Sequence, residues 1–354
     1  MSFPWQALNV VCNGVSPLDI DHLELKSEGE AHQFILSYGF DLFEPSHVSY
    51  LERVYSESID FIETYLCLDE LQIPAPLREL NVAHELKSLL LLCSSSDQLP
   101  AGWNPQWRLW ACAILRVMHV SLHLKSDLRL KYLPKIKRQT VDRFSAHIQD
   151  GSEGLFLGFE SDKVKLAHFE KKQTKVRDSV LLKLLHKPSA IAQEIHDHIG
   201  VRFVTDTRVD AVRVVQYLIA HHLLSFPNVM AARCRNSLID LSEFKKVVES
   251  MPAGDMNEKT IDSILSYPKI QDRENQFTSE RYRSLQFTTR QLIRIPVVRK
   301  GVKSEMTFFF PLEIQIMDLA SYQESQSGES GHAEYKQKQL EAVRQRVLKG
   351  LKSI

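Results

Sequence analysis

The sequence predicts an α+β chain in two parts: an all-α domain over residues 1–150 and a sheet-bearing domain over 151–354. Three observations lead there. At 354 residues the chain exceeds one ordinary core. Apolar residues recur at helical spacing through the first part. Near Asp150 the period shortens to alternating runs, the longest being 284–298 and 303–317.

The helical part reads in three main segments. Ser46 is placed to cap a helix carrying Val48, Leu51, Val54, Ile59, Ile62 and Tyr65. A second helix follows Pro76 through Val82, Leu86, Leu89 and Leu92, and stops at the polar run 94–97. Residues 100–105, with two prolines and a glycine, form a loop. The third helix runs from about Gln106 to Ser126, its apolar side marked by Trp110, Ile114, Val117, Met118 and Leu122.

Beyond Asp150 glycines punctuate short strands at Leu155–Leu157 and Val164–Leu166. A helix over Ser179–Leu185 is followed by another over 189–196, with Pro188 near its start. Val201–Thr205 reads as a strand, and Thr207 with Asp210 caps a helix through Val212, Val215, Leu218 and Ile219. The polar segment 252–260 reads as a loop, and Gly301 turns a hairpin between the two long strands. Residues 321–331, rich in Ser, Gly and Gln, read as a flexible loop before a charged helix over 332–351.

Composition narrows the function classes. Lys plus Arg equals Asp plus Glu, 44 against 44, so no global field draws the chain to nucleic acid or membrane. The five cysteines are odd in number, scattered and without a Cys-x-x-Cys, which argues against a disulfide framework or structural zinc site. The N-terminus lacks a basic region followed by an apolar run, and no apolar stretch is long enough to span a membrane. The expected compartment is a reducing cytoplasm. His119 and His123 sit one helical turn apart, a spacing that can hold zinc, but no third ligand is visible. The basic stretch from Lys125 to Arg138 has Tyr132 as its lone aromatic and reads as a solvated linker rather than an RNA contact.

Chemistry gathers in the last 160 residues. In Glu313-Ile-Gln-Ile316 strand alternation sends the isoleucines one way and Glu313 and Gln315 the other. Such a carboxylate either faces solvent from an edge strand or lines a cleft. Asp197 precedes another strand, in Asp197-His-Ile-Gly-Val-Arg202, with Arg202 on the face opposite Val201 and Phe203. Tyr282-Arg-Ser-Leu-Gln286 opens a third strand, and His332-Ala-Glu-Tyr335-Lys336 begins the last helix. Two carboxylates on strands are what a nucleotide-handling enzyme uses to hold Mg²⁺ against phosphates.

Read in that order, these segments resemble the synthetase domain of RelA/SpoT-type alarmone enzymes. That family reads Asp-x-x-Gly-x-Arg, Gly-Tyr-x-Ser-x-His and Glu-x-Gln-x-Arg, then a His and Tyr-Lys. The resemblance spans about residues 170–345. It implies a mixed β-sheet flanked by helices, the fold of alarmone synthetases and distantly of nucleotidyltransferases. It implies pyrophosphate transfer from ATP to the 3′-hydroxyl of GDP or GTP, with Asp197 holding Mg²⁺ and Glu313 acting as ligand or general base. Tyr282 then stacks on the acceptor base. Lys175, Arg177 and Lys183 grip the ATP phosphates, and Arg202 reaches the cleft. Gln286 stands for the family histidine, able to hydrogen-bond but not to carry a proton, and Arg273, Arg281 and Arg283 could compensate for the basic residue missing at Thr278 and Ser279. His332 falls on the helix that packs beside the site.

Departures from the pattern leave other readings open. Arg281 replaces the family glycine, Met317 the expected arginine, and Thr278 and Ser279 an expected basic residue. The same chemistry on a tRNA 3′ end, or a nucleotide-binding regulator without turnover, also fits.

Overall fold

The structure, a computed structural model, describes residues 3–67, 71–94, 99, 102–172, 177–186, 199–251, 257–268, 283–299, 301–327 and 329–351. The chain divides into two units. One holds residues 1–127, 176–194 and 336–354; the other holds 128–175 and 195–335. This assigns 128–150 to the sheet-bearing unit and two later helical segments to the helical one, where the sequence reading drew a single boundary near 150.

In the helical unit, the helices Pro45–Phe61, Val82–Cys93 and Arg108–Ser126 pack on one another. Pro45 occupies the first turn of the first of these and Glu44 the cap, so Ser46 lies inside the helix rather than capping it. Val54, Leu89, Leu91, Ile114, Val117 and Leu181 are fully buried. The chain's two ends meet here. Arg346 forms a two-pronged pair with Asp19 at 2.6 and 2.9 Å, and the buried Arg116 donates to the carbonyls of Val347 and Ile20. Cys93 and Cys112 are joined in a disulfide, with Cα atoms 5.1 Å apart. The scattered spacing hid that pairing, which needs two helices to bring their ends together. The cysteine count therefore says less about compartment than its scatter suggested. No described helix is long and apolar enough to cross a membrane.

His119 and His123 lie ring to ring at 4.6 Å, and the Tyr38 hydroxyl bonds His119 Nδ1. Burial, reinforced by His123, pushes the His119 pKa down to about 4. Below about pH 6.5 an unfolded histidine takes up a proton that folded His119 refuses until about pH 4. Stability should therefore fall as pH drops through that window and level off beneath it. Thermal melts across pH 4–7 should show the drop, and His119→Gln should remove most of it.

The sheet-bearing unit carries strands β1 (Ile148–Gly151), β2 (Gly154–Leu157), β3 (Val164–Leu166), β4 (His168–Lys171), β5 (Gly200–Thr205), β6 (Arg235–Asn236), β7 (Leu285–Arg299) and β8 (Val302–Asp318). The first three form a small antiparallel sheet. The rest form a mixed five-stranded sheet in the order β4-β5-β8-β7-β6, with β5 and β8 parallel and the other pairs antiparallel. One face buries Val201, Phe203, Phe287, Ile314 and Ile316 with Ala211, Val214 and Leu218 of the helix Arg208–Ala220. Thr207 caps that helix as its spacing predicts, accepting from the Asp210 amide.

Two loop expectations need correction. Residues 258–260 of the polar segment open the helix Glu258–Ile264, capped by Asn257; 252–256 lie outside the described residues. The supposed loop 321–331 falls largely within the helices Leu319–Ser327 and Glu329–Val347. Composition misled there because Asp318, at the end of β8, accepts a hydrogen bond from the Ser321 amide and starts a helix despite the serines. The helix expected over 189–196 lies outside the described residues.

Candidate functional site

Glu313 sits on β8, the third of five strands, and is only 6% exposed. A central strand has no free edge, so the solvent-facing edge reading fails. The isoleucines beside it point into the core, and Glu313 and Gln315 share the opposite face.

That face carries a polar row crossing all five strands. Glu170 on β4 pairs in register with Arg202 on β5, Arg202 with Gln315 on β8, Gln315 with Gln286 on β7, and Gln286 with Arg235 on β6. Side chains follow the register. The Arg202 guanidinium donates to Glu170 at 2.7 Å and to the Gln315 carbonyl at 2.9 Å. The Tyr322 hydroxyl donates to the other Glu170 oxygen at 2.6 Å, and that bond, with burial, holds the phenol pKa above its usual range.

One row along, Gly200, Glu313 and Thr288 are register partners. The Lys172 ammonium, one residue past β4, meets Glu313 Oε2 at 2.5 Å, while the Gln286 amide donates to Oε1. Both carboxylate oxygens thus have partners. Gly200 makes the lysine's approach possible. A Cβ there would sit 2.8 Å from Lys172 Cδ and 2.9 Å from the Glu313 carbonyl oxygen. A side chain can swing aside, but a paired backbone oxygen cannot. Gly200→Ala should therefore push β5 from β8 or drive Lys172 off Glu313. A stability loss of about 1–3 kcal/mol is expected, read from a denaturant melt.

Other residues singled out from sequence take different places. Arg177 lies in the helix Arg177–His186 of the helical unit and pairs with Glu57 at 2.5 Å, so in this structure its charge is met by protein. Lys183 is half-buried on the same helix. Arg283 donates to the Pro268 carbonyl and lies 5.2 Å over the Tyr267 ring, which the Arg208 guanidinium also approaches at 4.5 Å. It does not join the Glu313 row by any of these contacts. Met317 is fully buried. Asp197, Lys175, Tyr282, Arg273, Thr278, Ser279 and Arg281 lie outside the described residues, as does the side chain of His332.

Sequence reasoning missed Lys172, Glu170 and Tyr322. A signal existed for two of them. His168, Glu170 and Lys172 alternate with Phe169 and Lys171, and extending the strand pattern past Leu166 would have put them on one face. Tyr322 was hidden by the loop reading of its segment.

The oxygen donors on this face are of the chemistry that suits a hard cation such as Mg²⁺. Glu313 is the carboxylate placed to serve one, with Lys172 the cation that would have to give way. Among the described residues no group of three or more His, Cys, Asp or Glu side chains could hold a metal.

No family model matches the sequence, and no curated protein matches it. Solved structures do. The chain is similar to the small alarmone synthetase 2 from Bacillus subtilis, at 16% identity over 51% of this chain and 73% of that one, with a TM-score of 0.26. The small alarmone synthetase 1 from the same organism, bound to its product pppGpp, matches at 15% identity over 51% and 71%, with a TM-score of 0.25. A GTP pyrophosphokinase family protein from Streptococcus pneumoniae matches at 14% identity over 69% and 89%, with a TM-score of 0.26.

Proposed function

We propose that the sheet-bearing unit is a nucleotide pyrophosphokinase that takes ATP as donor, with Mg²⁺, and a ribose 3′-hydroxyl as acceptor, GDP or GTP in the simplest case. The observation that carries this reading is the buried carboxylate of Glu313 at the centre of a mixed sheet, held between an ammonium and an amide in a continuous polar face. Charged groups are rarely buried in a central strand without a task. The ordered motif segments described above support the same chemistry.

In the transfer, the acceptor oxygen bonds to the β-phosphorus of ATP. The bond from that phosphorus to the α–β bridging oxygen breaks, and AMP leaves with the electron pair. The hydroxyl proton passes to a carboxylate, a role that suits Glu313. When bound, Mg²⁺ offsets phosphate charge, and Asp197 with Glu313 would hold it. Tyr282 is assigned the acceptor base, Lys175 and Lys183 the donor phosphates, and Arg202, Gln286 and Gln315 the ordering of the polar face. Arg177 would serve only by leaving Glu57.

A second reading is a nucleotide-binding regulator without transfer. It is favoured by the engagement of both Glu313 oxygens and by Met317 where the resemblance expects a cation. Incubation with labelled ATP, Mg²⁺ and a panel of GDP, GTP, AMP, ADP and bulk tRNA separates the two. Transfer to any acceptor supports the enzyme, binding without transfer supports the regulator, and neither binding nor transfer defeats both.

A further inference from the structure

Lys172 reaches Glu313 along a path shaped for it. The residue follows β4, and its amide donates to the Gly200 carbonyl at 2.9 Å, carrying the β4–β5 pairing one residue further. Two positions past Glu170, it falls on that residue's face of the sheet. The side chain then crosses β5 over Gly200, where a Cβ would lie 3.4 Å from its Cγ and 2.8 Å from its Cδ. Glycine in a strand marks a close approach by another group. Here the approaching group is the lysine stem, which ends with its ammonium on Glu313 Oε2.

The carboxylates of Glu170 and Glu313 are each met by a cation, Arg202 for the first and Lys172 for the second. The two cations are held differently. Arg202 bonds Glu170 through Nη1 and Gln315 through Nε, and is thereby fixed between strands. The Lys172 ammonium has Glu313 as its one side-chain partner among the described residues, and its side chain is 24% exposed. A flexible stem with its end near water can swing to a second anion. A guanidinium tied at two points must break both bonds to do so.

We propose that Lys172 is a latch, keeping a divalent cation off Glu313 until a polyphosphate is present to draw the ammonium away. The inference rests on the pyrophosphokinase reading and adds how its site is regulated. In the resting chain the ammonium takes one oxygen of the carboxylate and the Gln286 amide takes the other. A dication arriving alone would have to displace the ammonium and leave it beside a like charge, without an anion of its own. A polyphosphate supplies that anion, with enough negative charge for metal and ammonium to share. Metal and polyphosphate therefore enter together. An ion pair that served the fold alone would not make one ligand depend on the other.

The test uses the full chain without nucleotide and Mn²⁺ as the probe, the free ion being read by electron paramagnetic resonance. Lys172→Met, and Lys172→Gln which keeps a donor for Oε2, should each bind Mn²⁺ at least about tenfold tighter than wild type. Adding Glu313→Gln to either should abolish the gain. Glu313→Gln by itself should bind Mn²⁺ as wild type does, because the carboxylate is already taken; that comparison needs no lysine variant to fold. With EDTA present, ATP should bind Lys172→Gln about tenfold more weakly than wild type, since the ammonium no longer meets the phosphates. Unchanged Mn²⁺ affinity in both lysine variants overturns the inference. So does a gain that survives Glu313→Gln, weaker Mn²⁺ binding in Glu313→Gln alone, or metal-free ATP affinity that ignores Lys172. Each of these, found in a wild type that binds ATP and transfers pyrophosphate, leaves the pyrophosphokinase reading standing. Wild type that neither binds ATP nor transfers defeats that reading and this inference with it.

Discussion

Replacing Glu313 by glutamine should lower pyrophosphate transfer at least a hundredfold while leaving nucleotide binding nearly intact. The substitution keeps volume and hydrogen-bonding shape but removes the charge. A glutamine cannot accept the acceptor's proton or offset cationic charge beside the phosphates. Losses of about 10²–10⁴ are ordinary for a removed general base, and a hundredfold is about 2.7 kcal/mol of barrier. Lys172 would be left facing an amide, which it tolerates because its side chain is 24% exposed and reaches water. Nucleotide affinity should stay within about threefold, since losing a carboxylate that would help hold Mg²⁺ and losing a negative charge near the phosphates act in opposite directions. Transfer at a third of the wild-type rate or better would remove Glu313 from the chemistry. A lowered melting temperature would instead show that the carboxylate serves the fold.

Truncating Phe203 to alanine should be the most damaging change to the sheet-bearing unit. Phe203 is fully buried on β5, on the face opposite Glu313. Its ring meets Phe169 at 5.1 Å and Phe144 at 6.3 Å, tying β4 and the helix Val141–Ser145 to the central strand. Removing it costs both transfer energy and the cavity left behind, about 3–5 kcal/mol. Against a typical total of 5–15 kcal/mol that is a large share. Thermal melting should fall by roughly 6–20 °C. A drop below about 2 °C would mean that the rings close over the gap and that the core is centred elsewhere.

Much of this site was readable because a strand's alternation is local. Ile314, Ile316, Glu313 and Gln315 sort themselves onto two faces with no knowledge of neighbours. The same holds for Arg202 against Val201 and Phe203, and for the capping of a helix by Thr207. Where the reading failed, the deciding partner was distant in sequence. The exception is the Ser-rich stretch after β8, largely helical because a nearby residue, Asp318, accepts from the Ser321 amide. Cys93 and Cys112 met because two helices bring their ends together. The pairing of Arg177 with Glu57, 120 positions earlier in the chain, was likewise beyond any local pattern.

The sequence by itself determined the succession of helical and extended segments, the polar face of β8 and the hairpin at Gly301. Backbone propensity and side-chain period act within a few residues, so they can be read from the order of amino acids. Only the tertiary structure decided that β8 is central rather than at an edge, which converts Glu313 from a solvated glutamate into a buried one. It also decided that Lys172 crosses Gly200 to neutralise that carboxylate. Strand order is settled by contacts such as the parallel pairing of β5 with β8, whose partners Gly200 and Glu313 are more than a hundred residues apart. Their energies depend on which faces are buried together, and no local pattern encodes that choice.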